Sequence, residues 1–85
     1  MSVTEDLVKG FHEINQVKRA LQLIVDNQNE KSLNYAVNYA KYGLTIFNEL
    51  ELEIQCRYVL NNMARWRGPV AKEVRATLKN FCGIK

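Results

Sequence analysis

The sequence predicts an all-α protein, a compact and mostly antiparallel four-helix bundle, on three observations. Apolar residues recur at helical spacing in four successive segments. Asn, Gly and Pro punctuate the gaps between those segments. Each gap spans only a few residues, which makes consecutive helices antiparallel neighbours. The expected helices cover about 3–27, 31–47, 49–66 and 69–82. A chain of 85 residues supports one domain, 1–85, and at that size few apolar residues can be left outside the core.

The first helix opens on Ser2 followed by Glu5, a capping-box pair, with Glu5 and Asp6 placing negative charge where the helix dipole favours it. Leu7, Phe11, Ile14, Leu21 and Val25, flanked by Val3, Val17 and Ile24, carry the apolar stripe to about Asn27. Lys18 falls inside that stripe, where its stem can pack while its ammonium reaches the edge. The run Asp26-Asn27-Gln28-Asn29-Glu30 then breaks the pattern, and its Asx residues suit the end of one helix and the cap of the next.

The second helix is the one whose residues ask to be covered on most of its circumference. At about 100° per residue, Leu33, Val37, Ala40, Leu44 and Phe47 form one apolar stripe, and Tyr35, Tyr39, Tyr42 and Ile46 form another on nearly the opposite side. Ser32, Ala36 and Gly43 lie on one flank, small enough to admit a neighbouring helix closely. Asn34, Asn38, Lys41 and Thr45 form the flank that faces water.

Asn48 with Glu51 makes a second capping box and starts the third helix near Glu49. Leu50, Leu52 and Ile54 alternate with Glu51, Glu53 and Gln55, which is also the period of a half-buried strand. The good helix formers here, and the lack of a second strand to pair with, favour helix. Its main stripe is Leu52, Cys56, Val59, Met63 and Trp66, with Ile54 and Tyr58 well off it. Arg67-Gly68-Pro69 is the sharpest break in the chain, because proline suits the first turn of a new helix. Val70, Val74, Leu78 and Phe81 then lie on one side of the fourth helix, Lys72, Arg75 and Lys79 on the other, and Gly83 is placed to end it.

Composition narrows the function classes. A hydrophobic fraction of 47% with 25% charged residues is that of a globular protein and not of a disordered one. The longest aliphatic run, Leu23-Ile24-Val25, is far short of a membrane span or the apolar core of a signal peptide, so a cytoplasmic protein without a membrane partner is expected. Cys56 and Cys82 are too few for a disulfide scaffold and lack Cys or His at zinc spacing, and are read as reduced thiols. His12, the single histidine, has no spaced Ser, Cys or carboxylate that suggests a relay. Glu49, Glu51 and Glu53 point in different directions on a helix, and serve its dipole rather than a cation. No catalytic residue, cofactor, metal or small-molecule substrate is expected, and the chain is read as a non-enzyme.

Two features point to partners. The four tyrosines Tyr35, Tyr39, Tyr42 and Tyr58 all fall on the secondary faces of helices two and three, and tyrosine suits an interface because it offers large apolar area with a hydroxyl that tolerates water. The reading that follows is a small helical interaction module, self-associating as a homodimer or docking another protein through that face. The second feature is charge. Residues 1–53 hold five basic against eight acidic residues, whereas 54–85 hold seven basic residues against Glu73 alone. Arg65, Arg67, Lys72, Arg75 and Lys79, with Arg57 nearby, give an alternative reading, a nucleic-acid-binding accessory protein that contacts phosphate through the basic C-terminal helix. A basic outer face is also the ordinary way to keep an amphipathic helix soluble.

Overall fold

The computed structural model describes the backbone of residues 3–84 and the side chains of residues 13–84. Ser2, and the side chains of Glu5, Asp6, Leu7, Phe11 and His12, lie outside the described residues. Helices α1 (Val3–Asp26), α2 (Ala36–Gly43), α3 (Glu49–Asn62) and α4 (Pro69–Cys82) form the bundle, with a short 3-10 turn, Lys31–Leu33, ahead of α2. No strand occurs among the described residues, so the alternation of Leu50, Leu52 and Ile54 is carried by a helix. Helix α1 packs on α2 and α4, and α3 packs on the same two, so the helices close into a ring in which α2 and α4 are opposite. The molecule measures 45 × 23 × 19 Å, and α1, whose 24 residues run about 36 Å, is its longest helix. No described helix is long and apolar enough to cross a membrane.

The core is drawn from all four helices. Val17, Leu21 and Ile24 of α1 meet Leu33, Ala36, Val37 and Ala40, then Leu52, Cys56, Val59, Met63 and Trp66, then Val74 and Leu78, all buried. The expected α3 stripe is thus the buried one, although α3 ends at Asn62 and not at 66. Asn61 and Asn62 are poor helix residues, and Asn62 turns its amide onto the Tyr58 carbonyl at 2.8 Å. Met63 and Trp66 reach the core from the following turn, whose two carbonyls accept from Arg75 at 3.4 and 2.8 Å.

The central helix departs most from expectation. It was expected to run over 31–47 but consists of a 3-10 turn, two turn residues and an α-helix that stops at Gly43. Two side chains bind its last carbonyls. Thr45 Oγ1 donates to Tyr42 O at 2.7 Å, and Lys18 Nζ, reaching across from α1, donates to Gly43 O at 2.7 Å and to Ile46 O. Burial draws the Lys18 pKa below its ordinary value, with nearby Cys56 acting in the opposite sense. Once the helix stops, the chain beyond it turns over. Ile46, expected on the tyrosine side, is buried at 7% exposure, and Phe47, expected in the core, is 84% exposed beneath the Lys18 ammonium, 5.1 Å from its ring centre.

The caps explain the other boundaries. Asn48 Oδ1 accepts from Glu51 N at 3.0 Å and so starts α3. The expected Asx cap of the second element is Glu30 instead, whose carboxylate accepts from Ser32, while Asn27 ends α1 by donating to Leu23 O. Pro69 opens α4, and Gly83, at φ 70°, closes it with paired bonds from Gly83 N to Asn80 O and from Ile84 N to Lys79 O, a Schellman ending. The buried side of α4 is Ala71, Val74, Leu78 and Cys82, while Val70 is exposed and Phe81 half-buried. The small residues let α4 approach closely and the larger Val70 and Phe81 sit at the margins. Cys82 is buried with them.

Candidate protein interface

Helices α2 and α3 run antiparallel and lie close because small residues line their contact. A Cβ added at Gly43 would crowd Leu21 Cδ1 at 2.9 Å, so the Leu21 side chain would have to shift, while Gln55 Cγ at 3.5 Å would lie in ordinary contact. Gln55, buried on α3, donates from Nε2 to the Tyr39 carbonyl at 2.9 Å. This bond fixes the register of the two helices.

With that register, the tyrosines gather on the outside. Tyr39 and Tyr58 stack with ring centres 5.7 Å apart and planes 14° from parallel. Tyr35 precedes Tyr39 by about one turn, toward the C-terminal end of α3, and Tyr42 lies level with Ile54 and Gln55. Tyr35 and Tyr42 are 75% and 61% exposed, Tyr58 50% and Tyr39 38%, the lower value reflecting its stacking. None of the four belongs to the buried core. The sequence left two residues of this face unassigned to it. Leu50 and Ile54, both exposed, continue the line of Tyr58 at intervals of four along α3. That spacing was visible in the sequence, but the strand-like alternation through the same residues masked it.

Exposed large apolar side chains in one contiguous set are uncommon on a protein that acts alone. Charge is sparse within this set. Asn38 and Asn61 are exposed at helical spacing beside the tyrosines, and Glu51 stands at the border. The Glu53–Arg57 pair, 3.4 Å apart on the surface, lies further round α3 and contributes at most about 1 kcal/mol.

The basic residues are placed elsewhere. Arg65 and Arg67 sit in the α3–α4 turn, and Lys72 and Lys79 on the outer side of α4, all exposed. Arg75, in the middle of that strip, is half-buried, and its guanidinium donates to the Met63 and Trp66 carbonyls. Arg57 likewise donates to Cys82 O at 3.1 Å. Among the described residues no group of His, Cys, Asp and Glu is arranged to hold a metal ion. A cavity of about 320 Å³ beside α1 is lined by Ile14, Asn15, Lys18 and Phe47. Its one ammonium is already bound to the Gly43 and Ile46 carbonyls.

Compared with known proteins, the chain matches no family model, no curated protein and no solved structure.

Proposed function

We propose that this chain is a small non-enzymatic interaction module that self-associates through the outer face of α2 and α3. The observation that supports this reading is the exposed set of Tyr35, Tyr39, Tyr42, Leu50, Ile54 and Tyr58 on α2 and α3, with the two helices joined by the Gln55 bond and the Tyr39–Tyr58 stack. A face so poor in charge has nothing with which to select a charged partner, whereas tyrosine and asparagine both donate and accept and so can pair with their own kind. A modest stable contact needs about 500–600 Å² from each protomer, roughly a tenth of the 6098 Å² surface. Nucleic-acid binding takes second place because Arg75, central in the basic strip, already serves the fold.

Truncating an aromatic near the centre of such a face removes about 2 kcal/mol or more of binding. Tyr39→Ser is therefore expected to convert dimer to monomer in sedimentation at micromolar concentration, with helix content kept. Tyr35→Ser, at a side chain that contributes little to the fold, should weaken the dimer in the same direction. A wild-type protein that stays monomeric at the highest concentration tested would refute self-association.

A further inference from the structure

Cys56 and Cys82 are distant in sequence and adjacent in the fold. Cys56 lies in the middle of α3, and Cys82 is the last residue of α4. Cys82 Sγ is 3.5 Å from the carbonyl of Glu53, which lies about one helical turn before Cys56. The Cys82 carbonyl accepts from Arg57, the residue after Cys56, at 3.1 Å. The last turn of α4 is thereby held against the turn of α3 that carries Cys56, and the two thiols hydrogen-bond to each other. Both are buried within the apolar core, and among the described residues no His, Asp or Glu joins them in a set able to hold a metal ion. The chemistry open to two thiols in direct contact is disulfide formation.

We propose that Cys56 and Cys82 are a redox latch, a reversible disulfide formed under peroxide that fastens the end of α4 to the middle of α3. Access sets their roles. Cys56 is 0% exposed in mid-helix, while Cys82 is 5% exposed at a helix end, and helix ends open more readily than the interior. Cys82 also has the Arg57 guanidinium beside it, and a neighbouring cation favours the thiolate. Cys82 Sγ therefore attacks the peroxide. A sulfur–oxygen bond forms, the oxygen–oxygen bond breaks, and the departing hydroxide takes the thiol proton as water, leaving a sulfenic acid. When the turn closes again, Cys56 Sγ attacks the Cys82 sulfur, the sulfur–sulfur bond forms, and the sulfenic hydroxyl leaves with the Cys56 proton as a second water. Two thiols are oxidised and one peroxide is reduced to two waters. Burial keeps both thiols protonated in the closed protein, so the reduced pair is the resting state and oxidation waits on the opening of the last turn of α4. The latch lies within one chain and does not depend on self-association.

The test exposes the folded, reduced wild-type protein to dilute hydrogen peroxide, then reads a peptide map and the thermal midpoint. Digestion should yield the Cys56 and Cys82 peptides joined within one chain, with the loss of two hydrogen atoms. The thermal midpoint should rise by about 10 °C, because the cross-link restricts the unfolded chain, and should return on adding dithiothreitol. Cys56→Ala should stop with oxygen added at Cys82, whereas Cys82→Ala should leave Cys56 unmodified over the same exposure. The wild-type peptide map carries the result whether or not both variants fold. Wild-type cysteines that stay unmodified, gain oxygen without a cross-link, or link only between chains would overturn the proposal. A cross-link that forms only in urea, or that leaves the thermal midpoint unchanged, would show that the folded protein has no such latch.

Discussion

Cys56 and Cys82 meet where α3 passes the end of α4, with Cys82 Sγ 3.5 Å from the Glu53 carbonyl. Burial pushes the Cys56 thiol up from 9.0 to about 12, with Cys82 adding to the rise, Lys18 opposing it and Glu53 adding a lesser rise. Burial also raises Cys82, opposed by Arg57. In the unfolded chain these thiols ionise near their ordinary value, while the folded chain keeps its protons, so the folded state binds more protons above that pH. The stability they confer is complete below about pH 9 and is lost as pH climbs toward 12, with a slope of up to about 1.4 kcal/mol per pH unit for each thiol. The urea midpoint is expected to hold to about pH 9 and then fall, less steeply in Cys56→Ala. An alkaline fall of equal steepness in that variant would show that other groups cause it. Trp66 is the other residue whose burial has a measurable effect. At 6% exposure in the turn after α3, its replacement by alanine should cost about 3–5 kcal/mol in denaturant unfolding, and a loss below about 1 kcal/mol would contradict its place in the core.

The helices differ in how locally their ends are determined. Pro69 and Gly83 enforce the limits of α4 through a fixed ring and a positive φ, so both ends were legible in the sequence. Asn48 is equally local. Asn48→Ala should lower stability by about 1 kcal/mol through loss of the bond to Glu51 N, and an unchanged thermal midpoint would count against that cap. Helix α2 was misjudged for the opposite reason. Its last carbonyls are bound by the local Thr45 and by Lys18, 25 residues away in sequence from Gly43, and periodicity within 31–47 carries no trace of the bond that arrives from another helix. The exchange of Ile46 and Phe47 between inside and outside comes just past that helix end, where Ile46 is buried and Phe47 lies under the Lys18 ammonium. The end of α3 was more accessible, since Asn61-Asn62 is a poor way to continue a helix. The stripe that extended smoothly to Trp66 outweighed it, and Trp66 is buried as that stripe required.

At the scale of the molecule, the sequence marked the tyrosines as a set but could not say whether a neighbour helix covers them. The answer lies in the closed ring of helices, in which α2 and α3 each have two flanking partners and Val37, Ala40, Leu52 and Val59 already fill the inward sides. The basic strip was legible as composition, while the inward turn of Arg75 depends on the shape of the α3–α4 loop. The same arrangement separates the chromophores. The single tryptophan lies in the interior and all four tyrosines on the outer flank of one helix pair. Tryptophan emission therefore reports unfolding, and tyrosine absorbance and circular dichroism, sensitive to the Tyr39–Tyr58 stack, report what lands on the flank. The unlabelled protein thus carries two intrinsic optical probes that a titration can follow in one cuvette.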